Sequence, residues 1–108
     1  MELQINDPFF QEKNKAMDAL YNVLDPELMV NIMDLGLVYN IDFSLEGKII
    51  ITMTLTTRGC PMGDAISLGV KNVLNENFPG REVDINIVWE PQWTVDEVSA
   101  AGREQLGF

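Results

Sequence analysis

A single cysteine is the residue of this sequence best suited to chemistry. Cys60 lies in the segment TTRGCPMGDAI, residues 56–66, and the chain has neither a histidine nor a second cysteine. A thiolate is both a nucleophile and a metal ligand, but it requires an activating neighbour. Because there is no histidine to act as base, nucleophilic catalysis by the usual thiol route is poorly supported, and we expect no enzyme activity.

The residues around Cys60 predict a turn from a strand into a helix. Gly59 permits a tight backbone, and Pro61 suits the first turn of a helix, where no N–H donor is lost. The free N–H groups of the helix and Arg58 would stabilise a thiolate, whereas Asp64 would oppose it. The alternative is a structural cysteine that acts only as a small buried apolar residue.

A resident metal site is also poorly supported, because a closed tetrahedral zinc site needs four protein ligands and the chain offers one thiol. A metal or cluster at Cys60 would have to be shared with a second copy, a partner protein or nearby carboxylates. Such sharing favours transient handling over permanent storage. We therefore expect no permanently bound cofactor.

Hydrophobic residues at helical spacing predict the first two helices. The first is expected to have Asp7 as its cap and Pro8 in its first turn, and to end at Asp25. The second helix should follow the cysteine and stop at the segment FPGR, residues 78–81, where proline and glycine cannot continue it.

Three apolar segments predict strands, and a capping pattern predicts the last helix. The strands are the segment that begins at Leu37, the segment KIIITMTLT and the segment REVDINIVWE. Thr94 and Glu97 have the spacing of a capping box, so a short helix is expected from Val95. The chain is thus predicted to be one α+β domain, residues 1–108, with the order α-β-β-α-β-α. Its small mixed three-stranded sheet should carry the helices mainly on one face.

This topology brings separated polar residues to one edge of the sheet. The second and third strands flank a helix, so they should run parallel and end beside Cys60, and the first strand should return there as half of a hairpin. The residues expected around Cys60 are Asp25, Glu27, Asp34, Thr56, Thr57, Glu90 and Trp93. Asp25 and Asp34 have an alternative role in stabilising turns. Of Trp89 and Trp93, one is expected in the core and the other over the edge, and the alternative for Trp93 is contact with a partner.

The charge balance excludes several classes of partner. Seventeen acidic residues against seven basic ones give a formal net charge of −10, with no basic cluster. Such a surface would repel nucleic acid and anionic membranes. The longest apolar run, KIIITMTL, is far shorter than the roughly 20 residues that cross a bilayer, and the first residues lack the layout of a signal peptide. We expect a cytoplasmic protein that binds neither nucleic acid nor membrane.

Four blocks of sequence resemble the SufT/PaaD-like iron–sulfur cluster assembly family, which also includes a domain fused to some Mrp-type carriers. The blocks are DPEL, NIMDLGLVYNI, TMTLTTRGCPMGD and VWEPQWT. The resemblance runs from about Ala16 to Leu106, and it is strongest to the stand-alone SufT branch.

The resemblance implies a role in the maturation of iron–sulfur proteins, with Cys60 as the reactive cysteine of the family. Residues 25–27 match the DPE block of the family, and Thr56 and Thr57 match the polar residues before its cysteine. One thiol can supply only part of the ligand set of a cluster, which normally has four thiolates. The resemblance therefore implies a transient cluster, shared across a homodimer or with a partner.

Three hypotheses of function remain open. The first is a maturation factor that works with the iron–sulfur assembly machinery and with client apoproteins. The second is a PaaD-like accessory protein dedicated to one multicomponent oxygenase. The third, an enzyme with Cys60 as nucleophile, is the least supported.

Overall fold

The computed structural model describes residues 4–26, 28–55 and 63–107, and it contains the predicted order of helices and strands. The elements are α1 (Phe10–Leu20), β1 (Val38–Asp42), β2 (Lys48–Met53), α2 (Gly63–Asn77), β3 (Glu82–Ile87), a short 3₁₀ helix (Val95–Glu97) and α3 (Ala100–Leu106). The predicted α-β-β-α-β-α arrangement is confirmed.

The sheet has the order β1-β2-β3, with β1 antiparallel and β3 parallel to the central strand β2. Ile51 of β2 lies opposite Ile41 of β1 and Ile85 of β3. The carboxyl ends of β2 and β3 and the start of β1 therefore lie at the same edge of the sheet. We call this edge, formed by residues 34–38, 53–55 and 87–93, the site edge.

One face of the sheet forms the core with α1 and α2. Alternate residues of β2 are fully buried, which is the pattern of a strand that is covered on one face. The buried core residues are Ala16, Leu20, Ile41, Phe43, Ile49, Ile51, Met53, Val70 and Leu74, among others. Gly69 permits close contact between α2 and the residues that follow α1, because an added Cβ would lie 3.2 Å from Val23 Cγ1.

The predicted bounds of the first helix were wrong at both ends. The helix begins at Phe10 rather than at Pro8, because the Asp7 carboxylate accepts a hydrogen bond of 2.7 Å from Phe9 N in the turn before it. The same carboxylate forms an ion pair of 2.7 Å with Lys13. The helix ends at Leu20, well before Asp25.

The predicted cap of the last helix was also wrong. Thr94 makes no side-chain capping bond, and Val95–Glu97 is only a short 3₁₀ helix. The α-helix begins at Ala100, where the Ser99 hydroxyl accepts a hydrogen bond of 3.0 Å from Gly102 N. Since Ser99 also bonds to a distant residue, described below, a tertiary contact helps to fix the start of this helix.

Candidate functional site

The predicted site residues divide between described and undescribed parts of the chain. The structure describes Asp25, Asp34, Glu90 and Trp93. The other predicted residues, Cys60, Glu27, Thr56 and Thr57, lie outside the described residues. The candidate site therefore consists of the elements that flank the cysteine segment. The role of Cys60 as the functional thiol stays a prediction.

Asp25 organises a loop beside the site edge. Leu24 and Asn31 form a β-bridge, and we call the residues from 24 to 31 the DPE loop. Asp25 is 2 % exposed, and its carboxylate accepts a hydrogen bond of 3.2 Å from Leu28 N. Its backbone N–H donates to Val30 O at 3.0 Å. Because a buried carboxylate is costly unless it is hydrogen-bonded, these contacts make Asp25 the internal anchor of the loop.

Asp34 connects the DPE loop to the start of α3. One carboxylate oxygen accepts from Asn31 Nδ2 at 2.6 Å, and the other accepts from Ser99 Oγ at 2.8 Å. The backbone of Asp34 takes part as well, since its N–H donates to Asn31 Oδ1 at 2.8 Å and its carbonyl accepts from Ser99 N at 2.7 Å. These contacts fit the structural alternative for Asp34, a carboxylate that holds two segments of backbone together.

The segment after β3 lies against the start of β1. Trp93 is half-buried against the core, and its indole N–H donates to Leu35 O at 2.6 Å. Tyr39 of β1 donates its hydroxyl hydrogen to Pro91 O at 2.8 Å. Glu90 is exposed and precedes a cis peptide bond to Pro91. The structure thus brings Trp93 and Glu90 to the site edge, as the topology predicted.

Two hydroxyl groups, one within the site edge and one beside it, were not predicted from the sequence. Thr54 is 1 % exposed, and within the described part of the chain its Oγ1 has no hydrogen-bond partner of good geometry. Burial raises the pKa of the nearby Tyr39 hydroxyl, the negative charge of Glu97 raises it further, and the Thr54 hydroxyl partly opposes them. The signal for Thr54 was a polar residue at the end of an apolar strand, directly before the cysteine segment.

The described residues contain neither a candidate metal cluster nor a candidate membrane span. In residues 4–26, 28–55 and 63–107 there is no group of three or more Asp, Glu, Cys or His side chains that could hold a metal ion. No helix among these residues is long and apolar enough to cross a membrane. The carboxylates of Asp25 and Asp34 accept hydrogen bonds, from Leu28 N and from the Asn31 and Ser99 side chains respectively.

The fold and the site together define a class of protein. It is a small α+β domain that presents several loops at one sheet edge, with an acidic loop and a segment that carries a lone cysteine. The chain belongs to the iron–sulfur cluster assembly protein family, whose model matches residues 13–87. This match confirms the resemblance seen in the sequence.

Curated relatives and solved structures agree with this family. The chain is 43% identical over 96 residues to the Fe-S protein maturation auxiliary factor YitW of Bacillus subtilis, covering 89% of this chain and 94% of that protein. It is 46% identical over 85 residues to the Fe-S protein maturation auxiliary factor SufT of Staphylococcus aureus, covering 79% of this chain and 97% of that protein. The crystal structure of a domain of unknown function from Bacillus anthracis matches with a TM-score of 0.82 at 42% identity, over 88% of this chain and 91% of that one.

Proposed function

We propose that this protein is an iron–sulfur maturation factor that helps to insert clusters into client proteins, or to transfer clusters to them, through Cys60. The observation that carries the proposal is the family match over residues 13–87, which spans both the DPE loop and Cys60. The relatives at 43% and 46% identity are named auxiliary maturation factors, which favours an accessory role over enzymatic catalysis.

The chemistry available to one thiolate defines what the protein does with a cluster. Cys60 supplies one ligand, and the remaining ligands come from a donor, a client or a second copy of the chain. Ligand exchange then moves the cluster. The Cys60 thiolate forms an iron–sulfur bond as a donor thiolate leaves, and a client thiolate later replaces Cys60. The cluster is cargo in this scheme, and the protein keeps no permanent cofactor.

The described residues supply the support for this thiol. Strand β2 ends at Met53, and α2 is described from Gly63. We propose that the cysteine segment, which connects them in the sequence, lies near the site edge. The hydrogen bonds of Asp34 to Asn31 and Ser99 fix the neighbouring backbone. We assign Asp25 and Asp34 a positioning role around Cys60. Glu27, Thr56, Thr57 and Glu90 are proposed to provide its polar surroundings.

The partners follow from this function. They are the proteins of the iron–sulfur assembly machinery and their client apoproteins, and sharing of a cluster between two copies would need a homodimer. The net charge of −10 disfavours nucleic acid and anionic membranes as partners. A cytoplasmic location fits this set of partners.

Aconitase, an enzyme that needs a four-iron cluster, provides the test. Its activity is measured in cells that lack this protein and are re-supplied with the wild type, with Cys60→Ser or with Cys60→Ala, at matched protein levels. Loss of activity that only the wild type restores supports the proposal. Full restoration by both variants would assign Cys60 a structural role and overturn the proposed chemistry.

The number of cluster enzymes that lose activity distinguishes a general maturation factor from one dedicated to a single client. Several cluster enzymes are measured in the same cells. A defect in most of them supports a general maturation factor, whereas a defect in one oxygenase alone would favour the PaaD-like accessory protein. Iodoacetamide labelling of Cys60 adds a check on catalysis, because an activated catalytic thiolate reacts much faster than a free cysteine at pH 7.

A further inference from the structure

Three large apolar side chains are exposed within nine consecutive residues beside the site edge. The exposed fractions are 64% for Met29, 46% for Leu24 and 46% for Tyr21. Single exposed apolar residues are ordinary, but several in one short stretch are typical of a surface that binds another molecule. Leu24 and Met29 both belong to the DPE loop, and Tyr21 immediately follows α1.

The exposed residue Met29 has an energetically unfavourable backbone conformation. Its φ of 57° is the one positive value at a non-glycine residue in the described ranges. Left-handed backbone is unfavourable for a side chain of this size, so the surrounding contacts must maintain it. Met29 N donates to Asp25 O at 2.7 Å, and the bridge between Leu24 and Asn31 closes the loop. A loop fixed in this way loses little conformational entropy when it binds a partner.

The charge of this region indicates what kind of partner would bind. Between Lys15 and Val38 the sequence has four acidic residues, Asp18, Asp25, Glu27 and Asp34, and no basic one. A second copy of the chain is a poor occupant, because each copy has a net charge of −10 and the same acidic region. A partner with basic side chains around an apolar centre is complementary in both charge and surface chemistry.

We propose that Tyr21, Leu24 and Met29 form a docking surface for a partner protein with an apolar contact centre and a basic rim. The inference rests on the proposed function, and it identifies the partner as the protein that donates or accepts the cluster. Since the DPE loop borders the site edge, docking there would bring the partner close to the segment that carries Cys60. The same carboxylate, Asp25, thereby organises both the loop and the docking surface.

Matched substitutions test the surface without disturbing the fold. Met29→Asn removes the apolar side chain and keeps a residue that tolerates left-handed backbone, and Leu24→Ser shortens the second side chain. Leu45→Asn is the control, because Leu45 is 49% exposed and lies in the turn at the opposite end of β1 and β2. Thermal unfolding of each variant verifies that the fold is retained.

Two readouts are used, both on the full chain. Aconitase activity is measured in re-supplied cells, and a photo-crosslinking amino acid at position 21 captures the bound protein, which mass spectrometry identifies. We expect Met29→Asn to lower the yield of crosslinked partner by roughly tenfold, the loss typical of a central contact residue, and to lower aconitase activity. The yield should also fall as NaCl is raised, because the rim contacts are electrostatic. Leu45→Asn should match the wild type.

The outcomes separate this inference from the proposed function. Wild-type activity and crosslinking in both Met29→Asn and Leu24→Ser would overturn the docking surface, while loss of activity in Cys60→Ser in the same cells would leave the proposed function standing. Crosslinking only to a second copy of the chain, or a yield that does not depend on salt, would also overturn it. If Cys60→Ser is fully active as well, the proposed function fails with it.

Discussion

At the scale of single residues, the carboxylates of Asp25 and Asp34 accept hydrogen bonds from backbone N–H groups or from nearby side chains. Asp34 accepts hydrogen bonds from Asn31 and Ser99, and Asp25 accepts one from Leu28. Strand topology predicted both aspartates at the edge of the sheet, and the alternative given for each was a role in stabilising a turn. The observed hydrogen bonds fit this alternative.

The Asp34→Asn variant tests how much this carboxylate stabilises the fold. In Asp34→Asn the amide oxygen can still accept from Asn31 Nδ2, and the NH₂ group can donate to Ser99 Oγ, so neutral hydrogen bonds replace two charge-assisted ones in a partly buried site. We expect the free energy of unfolding to fall by about 1 kcal/mol. Urea denaturation measures the change.

The matched control for Asp34 is a double-mutant cycle with Ser99→Ala. If the 2.8 Å contact between Ser99 Oγ and Asp34 contributes to stability, the double variant should lose less than the sum of the single variants. Strict additivity would contradict the coupling between the DPE loop and α3.

Tyr39 gives a prediction for pH dependence. Burial and the nearby charge of Glu97 raise the pKa of its hydroxyl in the folded state. A raised pKa means that the neutral form is favoured by folding, so this contribution is complete below pH ~10 and is lost as the pH rises through the folded-state pKa. Stability should therefore fall above pH ~10 in the wild type.

The tyrosine prediction is measured by two matched titrations. The chain has two tyrosines, so Tyr21→Phe leaves only Tyr39 to report by ultraviolet absorbance. We expect its ionisation to occur above the usual tyrosine pKa, and we expect Tyr39→Phe to reduce the alkaline loss of stability. An ordinary pKa for Tyr39 would show that its hydroxyl is neither shielded from water nor close to the negative charge of Glu97.

At the scale of elements, hydrophobic periodicity correctly predicted the elements whose pattern is local in the sequence. It failed at the helix ends that tertiary contacts determine. The strands and α2 have clear apolar patterns with proline or glycine at their ends, and they were predicted correctly. The ends of α1 and the start of α3 were not. Asp7 bonds to Phe9 N and Lys13, and Ser99 bonds to Asp34, contacts that spacing alone does not reveal.

The same limit applies to the candidate site. Topology correctly indicated that Asp34, Glu90 and Trp93 would lie at one edge, because the parallel pair and the hairpin fix which strand ends meet. Tyr39 and Thr54 were missed, since the hydrogen bond of Tyr39 joins residues 52 positions apart and the burial of Thr54 depends on packing that spacing does not show. The position of a residue at this edge could therefore be predicted from the order of the strands, whereas its hydrogen-bond partners could not.

Gly36 provides a prediction at the junction between elements. Its φ is +74°, and a Cβ added there would lie 2.9 Å from Glu97 Cβ and closer still to the Glu97 carbonyl oxygen. Gly36→Ala should therefore cost the backbone penalty of about 1 kcal/mol and a further 1–3 kcal/mol, roughly, for the steric conflict. Chemical denaturation measures the sum.

Gly47 is a matched control for Gly36. Its φ is +73°, almost the same value, but an added Cβ would meet nothing within 4 Å. Gly47→Ala should thus cost only the backbone term, about 1 kcal/mol. Equal losses in the two variants would contradict the close packing of the 3₁₀ helix against the site edge.

At the scale of the whole molecule, the excess of negative charge opposes compaction. The formal net charge is −10 in a chain of 108 residues, and the described ion pairs, such as that between Lys48 and Asp84 at 3.4 Å, compensate little of it. Self-repulsion of this kind is screened by salt.

Salt should therefore stabilise the protein. We expect the urea midpoint to rise when about 0.5 M NaCl is added, because the Debye length falls to a few ångströms. A non-ionic co-solute such as sucrose, used at matched osmolality, controls for general exclusion effects. A midpoint that is unchanged or lowered by salt would show that attractive pairs outweigh the repulsion.

The contact between Asp34 and Ser99 has a consequence for the order of events during synthesis. The two residues are 65 positions apart, and Ser99 leaves the ribosome long after Asp34, Cys60 and β2 have emerged. The nascent chain thus exposes its thiol before the backbone around the DPE loop can be fixed. Because domains fold as units once their distant segments can meet, this part of the site edge is completed only in the finished domain.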